Sequence, residues 1–141
     1  MPDRIIRRLD GPRGGFLLLM SVGYMALGLS YVAGPATASR MKGFVWLPQS
    51  IDANELGWAW IAVALLAFAG AWWGRRCRRV ENWAFGALLL PPSLWVVVFL
   101  TAWAVGEHPT GWITAVSYGL YTSLAWHAAS WPNPPSGGGD D

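Results

Sequence analysis

Hydrophobic and polar positions divide this chain of 141 residues into four long apolar stretches separated by polar connections. None of the stretches contains Asp, Glu, Lys or Arg, and they cover residues 15–34, 57–74, 83–105 and 112–131. An α-helix rises about 1.5 Å per residue, so roughly 20 apolar residues span a hydrocarbon core about 30 Å thick. Each stretch is close to that length and continuous rather than alternating. The pattern therefore predicts membrane-spanning helices rather than barrel strands.

The connections predict how these helices are arranged. Asp52 followed by Glu55 is typical of a helix N-cap with its capping partner, which extends the short second helix back to residue 53. The second and third connections are tight, and tight connections make neighbouring helices antiparallel. We predict an all-α integral membrane four-helix bundle of up-down topology, with spans at about 15–34, 53–74, 83–105 and 112–131. A basic leader (1–14) precedes the bundle domain (15–131), and a Pro/Gly tail (132–141), predicted to be disordered, follows it.

The basic residues collect on one side of the predicted membrane domain. Eight of the ten precede the first stretch or fill the second connection, namely Arg4, Arg7, Arg8, Arg13, Arg75, Arg76, Arg78 and Arg79. Basic residues collect on the cytoplasmic side of membrane proteins, so both termini are predicted to be cytoplasmic. We interpret these arginines as topology signals and expect a lipid bilayer, not nucleic acid, as their partner. The predicted location is a bacterial cytoplasmic membrane, that of the host if a phage encodes the protein.

Tryptophan supports the same boundaries. The chain has 11 tryptophans, and most lie near the ends of the stretches, as with Trp58 and Trp60 at the start of the second. Indole rings favour the boundary between hydrocarbon and headgroups because the ring is apolar and its N–H needs a partner. Trp95, inside the third stretch, is the exception.

The first stretch has two interpretations. Ala36-Thr37-Ala38 follows it and has the small-x-small form of a signal-peptidase site. The apolar run is longer than the roughly 7–15 residues of a signal-peptide core, so we favour an uncleaved helix. A cleaved signal peptide is the alternative, and the remaining spans keep their orientation in either case.

The absence of charge within the stretches restricts the chemistry. Ion-coupled transporters, pumps and voltage sensors place ionisable groups at membrane depth, and here the only histidines are His108 and His127. Glu107 and His108 are neighbours in a short connection without a third group to orient them, and Cys77 is a lone cysteine among arginines. No catalytic triad, carboxylate pair or metal cluster can be assembled from these residues. We predict a protein that is not an enzyme and has no cofactor.

Mildly polar stripes run along the first and fourth stretches at helical spacing. Our preferred interpretation is that they pack the first helix against the fourth, since small residues allow close approach and hydroxyls bond between helices. The alternative is that they line a polar path within one bundle or between subunits. The candidates are Ser21, Tyr24, Gly28, Tyr31, Thr114, Ser117, Tyr118, Gly119, Tyr121 and Ser123.

Two consecutive prolines, Pro91 and Pro92, fall near the middle of the third stretch. They remove two backbone donors and are predicted to kink or break the helix. The carbonyls of Ala87 and Leu88 then lose their usual partners, and Ser93 or a neighbouring helix is expected to cover them.

The overall architecture resembles a group of known proteins. Nine arginines against one lysine, with abundant Ala, Gly and Trp, indicate a high-GC actinobacterial or actinophage genome. With its four charge-free spans, the chain resembles the small multi-span, holin-like membrane proteins of actinobacterial phages. The resemblance implies a membrane-permeabilising protein of host lysis that associates with itself. The chain differs from many holins in its tail, which ends Gly139-Asp140-Asp141 instead of in a basic cluster.

A structural, accessory or phage-exclusion membrane protein is the alternative function. Such a protein acts through contacts with another membrane protein. The contact surfaces would then be the inward tail and the outward loop that contains Phe44-Val45-Trp46-Leu47.

Overall fold

The computed structural model describes residues 11–34, 53–74 and 76–132, and within them the chain forms four α-helices and no β-strand. The helices are α1 (Gly11–Val32), α2 (Ala53–Trp73), α3 (Arg78–Ala104) and α4 (Gly111–Ala129). The predicted all-α fold is therefore confirmed. Five predicted features lie outside the described residues and stay predictions: the leader up to residue 10, the segment 36–38, the loop 44–47, the Asp52 cap and the tail from residue 133.

Three of the helices, α1, α2 and α3, are long and apolar enough to cross a membrane. Their length and composition indicate a membrane protein. The fourth helix forms where it was predicted, with 19 residues, but it is not among those three. Six of its side chains carry hydroxyls and His127 lies in its last turn, so its hydropathy does not reach that required of a span. Three of the four predicted spans therefore coincide with helices that meet this criterion.

Two helices begin earlier than predicted. α1 begins at Gly11, whose φ of 60° is a left-handed conformation that glycine adopts without steric cost. Pro12 fits the first turn that follows, where a backbone N–H has no partner within the helix. α3 begins at Arg78 instead of residue 83. As a consequence, Arg13 lies inside α1 instead of in the leader, and Glu81 lies inside α3 instead of in the second connection.

The two short connections are as tight as predicted. After α2, the N–H groups of Arg76 and Cys77 both donate to the carbonyl of Trp73 at 2.9 Å. After α3, Gly106 adopts a φ of 80° and its N–H donates to the carbonyl of Trp103 at 3.0 Å. The N–H of the next residue donates to Ala102 at 3.0 Å, which completes a Schellman motif. Both connections reverse the chain within a few residues.

Each helix packs on the next one along the chain. α1 packs on α2, α2 on α3 and α3 on α4, whereas α1 touches α3 and α4 at few points. The molecule is thus two antiparallel hairpins, α1–α2 and α3–α4, joined along α2 and α3. One end of the bundle, here called the Arg13 end, holds the starts of α1 and α3 and the ends of α2 and α4.

Small residues fill much of the bundle interior while large apolar side chains point outward. Leu19, Leu65, Leu94 and Leu120, one from each helix, are all exposed. The buried alanines are Ala64, Ala67, Ala71, Ala84, Ala102, Ala115, Ala125 and Ala128. Lipid tails are as apolar as leucine, so helices in a membrane associate through the close approach that small residues permit. This distribution is typical of a bundle built for apolar surroundings.

The closest approach joins α1 to α2 through a pair of glycines. A Cβ added to Gly28 would lie 2.6 Å from Cγ1 of Ile61 and 2.8 Å from the carbonyl oxygen of Gly57. A Cβ added to Gly57 would lie 2.9 Å from the Cβ of Tyr31. None of these three distances leaves room for a side chain, so this crossing depends on glycine at both positions.

Candidate functional site

Three residues of the predicted stripes, Tyr24 of α1 with Tyr118 and Tyr121 of α4, line one cleft. On α1, Gly28 packs on α2, and Tyr24 contacts both α2 and α3. The expected packing of α1 against α4 is limited to a few points of contact. The cleft between them is lined by residues of all four helices: Met20, Gly23, Tyr24, Leu27, Trp60, Pro92, Tyr118 and Tyr121.

The cleft has a buried floor and an exposed mouth. Trp60 of α2 and Pro92 of α3 form the floor, and each exposes no more than 2% of its surface. Gly23 of α1 and Tyr121 of α4 are exposed and stand on opposite sides of the mouth. The enclosed volume is about 170 Å³. One residue of the α1 stripe and two of the α4 stripe therefore border a shared concave surface, and a polar path along the stripes stays a prediction.

Aromatic rings form much of the cleft wall. The rings of Tyr24 and Trp60 meet edge to face, with centroids 4.7 Å apart. Tyr118 lies 6.4 Å from Trp60 and stacks on Phe99 with an interplanar angle of 7°. Trp60, which was expected near a membrane boundary, is buried in the core, and its depth in a membrane stays a prediction. Trp95, the predicted exception, is also buried.

Tyr24 also covers a carbonyl that Pro92 leaves without its usual donor. The Tyr24 hydroxyl donates to the carbonyl of Leu88 at 2.8 Å, inside the bundle. This bond confirms that a neighbouring helix covers one of the freed carbonyls. α3 continues through Pro91 and Pro92 without interruption, so of the predicted kink or break the break does not occur, and the kink stays a prediction. The bond from Tyr24 supplies part of the compensation that a proline inside a helix needs.

The serine hydroxyls of the stripes bond within their own helices. Ser21 donates to Leu18 at 2.7 Å, and Ser123 donates to Gly119 at 2.8 Å. Ser117 does the same towards the start of α4, at 3.0 Å. Bonds of this kind add nothing between helices. The remaining stripe residues are partly buried: Tyr31, Thr114, Tyr118 and Gly119.

A buried ion pair lies at the Arg13 end. The Nε of Arg13 is 2.7 Å from Oε1 of Glu81, and their side chains are 9% and 0% exposed. Arg78 approaches the same carboxylate from solvent, with its Nε 4.0 Å from Oε2. An opposite charge removes much of the cost of burying each partner, so the pair fixes α1 against α3 at this level.

Arg13 also reaches the end of α4. One guanidinium nitrogen donates to the carbonyl of Trp131 at 3.4 Å, and the guanidinium carbon lies 5.0 Å from the centre of the Phe85 ring. Phe16, one turn further along α1, contacts both Phe85 and Trp131 at 6.1 Å between centroids. These contacts hold α1 to the other hairpin below the cleft.

The predicted topology arginines thus divide into two groups. Arg13 is part of the bundle, which a role as a flanking topology signal does not anticipate. Arg76, Arg78 and Arg79 are exposed at the turn between α2 and α3. Arg4, Arg7, Arg8 and Arg75 lie outside the described residues.

A second concave surface, the outer groove, lies on the outside of α3 and α4. It is lined by Leu89, Ser93, Thr122, Ser123, Trp126 and His127. Thr122 donates to the carbonyl of Tyr118 at 3.0 Å, and His127 stands edge-on to Trp131. The groove brings hydroxyl and imidazole groups to a surface that is otherwise apolar.

The other candidate residues do not form a site. His108 packs edge-on against Phe99 and its Nδ1 lies 3.3 Å from the Thr110 hydroxyl, while Glu107 is exposed. Cys77 is exposed at the start of α3. Among the described residues, no three His, Cys, Asp or Glu side chains come together as a group for a metal ion.

Comparison of the chain with protein-family models, curated proteins and solved structures finds no match.

Sequence reasoning missed two features for which a signal existed. Arg13 and Glu81 lie just before the first and third stretches, which run in the same direction, so opposite charges were already predicted at one end of the bundle. Trp58 and Trp60 are two residues apart, and residues two apart on a helix point about 200° away from each other. At most one of them can face outward, and the structure buries Trp60.

Proposed function

We propose that this protein permeabilises a bacterial cytoplasmic membrane by assembling with copies of itself, in the manner of a holin. The main observation in support of this proposal is the outer groove of α3 and α4. Its Ser93, Ser123 and His127 open onto a surface made otherwise of large apolar side chains. Polar groups that face lipid are costly, and contact with a second copy or with the water of a membrane lesion relieves the cost.

The character of α4 supports the same proposal. An exposed apolar ridge of Val116, Leu120 and Leu124 runs along the helix. Polar side chains flank it, with Ser117 on the cleft side and Ser123 on the side of the outer groove. A helix of this kind suits a position between subunits, where one margin contacts protein and the other contacts water.

Contacts at the Arg13 end support a four-span topology. α3 is apolar enough to cross a membrane, and α4 returns beside it to the level of Arg13, where Trp131 contacts Arg13 and Phe16. A crossing by α1, α2 and α3 therefore implies a crossing by α4, although α4 alone is less apolar. Both termini then lie on the arginine-rich side, which we propose is the cytoplasm.

A second candidate is an accessory or phage-exclusion protein that binds another membrane protein. The limited extent of the outer groove favours it, because the groove covers only the half of α4 from Thr122 to His127 and a short stretch near the middle of α3. One local contact of this kind suits a single partner. A lesion built from many copies needs contact along more of the bundle.

Induced expression in a bacterium separates the two candidates. For a permeabilising protein we expect abrupt loss of viability and entry of an impermeant dye. Replacing Ser93, Ser123 and His127 with leucine should delay or abolish dye entry while insertion is retained. Leu90→Ile with Leu94→Ile, at exposed apolar positions of α3, is the matched control and should behave as the unchanged protein. Normal growth with the unchanged protein fully inserted would sink the holin proposal and leave the accessory one.

A further inference from the structure

We propose that the cleft between α1 and α4 binds one acyl chain of a membrane lipid. The proposal requires that the bundle lie in a bilayer and does not depend on membrane permeabilisation. A binding role for this surface follows from its position, its lining and its size, each of which restricts what can enter.

The mouth of the cleft opens halfway along the helices. Gly23 lies near the middle of α1, and Tyr121 lies near the middle of α4. At 1.5 Å per residue, each is about 15 Å from the ends of its helix. The exposed Val22 and Leu120 beside them belong to the apolar outer surface. The cleft is therefore continuous with the surface that meets lipid, and its ligand arrives from the hydrocarbon and not from water.

The lining selects an apolar ligand. None of its residues is charged, and the wall consists of aromatic rings with Met20, Leu27 and Pro92. The hydroxyl of Tyr24 is already donated to the carbonyl of Leu88. Cleft walls of this composition favour contact with methylene groups, and water gains little by entering.

The size selects a slender ligand. The volume of about 170 Å³ is close to that of a protein cavity known to hold benzene, so it takes about six carbons of a chain. A fused four-ring system is larger than this volume. Gly23 lines the cleft, and a Cβ added there would meet no atom within 4 Å, so there is room for a side chain at this position. Among the molecules of a bilayer core, an acyl chain fits both requirements.

Photo-crosslinking with a labelled lipid tests the proposal. The full chain is reconstituted in phosphatidylethanolamine and phosphatidylglycerol vesicles with a trace of phosphatidylcholine that carries a diazirine midway along one acyl chain. After irradiation, mass spectrometry locates the labelled residues. We expect strong labelling at Tyr24 and Tyr118, measured relative to Leu94 on the outer face of α3, which contacts bulk lipid in any case.

A pair of glycine variants makes the test specific. Gly23→Leu places a side chain in the cleft and should lower the relative labelling of Tyr24 and Tyr118 about tenfold, because overfilled sites exclude additional groups. Gly86→Leu is the matched control, since a Cβ there also meets no atom within 4 Å but lies on the outside of α3. Equal labelling in the unchanged protein and in Gly23→Leu would overturn the proposal. Weak labelling of the cleft in the unchanged protein would do so as well, and would favour a side chain of a second copy as the occupant.

The same pair keeps this proposal separate from the proposed function. If Gly23→Leu loses cleft labelling but dye entry on induction is unchanged, the cleft binds lipid without a part in permeabilisation. If the unchanged protein labels strongly and does not permeabilise cells, the lipid site stands and the holin proposal fails.

Discussion

The two sides of α1 make opposite kinds of contact. Towards α2, the helix presents Gly28 to Gly57, and the backbones come so close that a Cβ at either position would clash. Towards α4, the helix presents Tyr24 and Gly23, and the neighbouring helix stays away far enough to leave a cleft of about 170 Å³. Both sides of α1 carry glycine, yet α1 packs closely on its neighbour only on the side that faces α2.

The difference lies in what surrounds each glycine. Gly28 faces a second glycine and the side chain of Ile61, so small surfaces meet and the helices pack along their length. Gly23 lies across the cleft from tyrosines of α4, and a Cβ added to it would meet no atom within 4 Å. Glycine on one helix is therefore not sufficient for close packing, because the partner must be small as well. The open side then depends on contacts at the Arg13 end and on the bond from Tyr24 to Leu88.

The largest loss of stability is expected from breaking the Arg13–Glu81 ion pair, which fixes α1 against α3 below the cleft. Glu81→Met leaves the buried guanidinium of Arg13 without its counter-charge and should lower the free energy of unfolding by about 3–5 kcal/mol. Unfolding by denaturant in detergent micelles measures the change. Glu107→Met, at an exposed acidic residue, is the control and should cost no more than about 0.5 kcal/mol.

The double variant Arg13→Met with Glu81→Met sharpens this test. Removing both charges leaves no unpaired charge, so the double variant should be more stable than Glu81→Met alone. If both variants are equally unstable, the cost arises from lost packing at this level, and the ion pair does not anchor α1.

A smaller loss of stability is expected from disrupting the close crossing of α1 and α2. Gly28→Leu should lower the free energy of unfolding by at least about 1–3 kcal/mol, because the new side chain has no room between α1 and α2. Gly86→Leu makes the same chemical change on an open surface of α3 and serves as the control. Equal stability of the two variants, measured in the same micelles, would contradict the close crossing.

The bond from Tyr24 to Leu88 comes next in size. Tyr24→Phe leaves a buried carbonyl without its donor and should cost about 1–3 kcal/mol of unfolding free energy. Pro92→Ala restores the backbone N–H that normally serves this carbonyl. In the Pro92→Ala background, Tyr24→Phe should therefore cost less. An unchanged cost in that background would mean that the Tyr24 hydroxyl acts other than by covering Leu88.

Much of this architecture could be predicted from the sequence, because the length and apolarity of a helix are local properties. The four helices and their tight connections follow from the charge-free stretches and from residues such as Gly106. The carbonyl freed by Pro92 was also predictable, since a proline removes a defined hydrogen bond. The donor that covers it was not, because only the packing of α1 places Tyr24 beside Leu88.

The candidate site was harder to predict, because it depends on which pairs of helices pack together. Stripes on α1 and α4 suggested a direct contact, but spacing along one helix does not reveal the size of the residues opposite. The Gly28–Gly57 pair allows α1 to pack closely on α2, whereas Tyr121 of α4 lies on the far side of a cleft. Likewise, the burial of Arg13 depends on helix starts, and helix boundaries are the least certain part of a sequence-based prediction.

The smallest effect on stability is expected at the cleft itself. Its sign tests whether α1 and α4 stay apart in a bilayer. Gly23→Leu and Gly28→Leu gain the same intrinsic helix propensity, about 0.8 kcal/mol, and differ only in the space that receives the side chain. Because a Cβ at Gly23 meets no atom within 4 Å, Gly23→Leu should leave the free energy of unfolding unchanged or raise it by up to about 0.8 kcal/mol. The measurement belongs in lipid bicelles, where acyl chains are present. A loss of more than about 1 kcal/mol, together with weak lipid labelling of Tyr24 in the unchanged protein, would mean that α1 and α4 close on each other there, because an added side chain destabilises a contact that is already filled by protein.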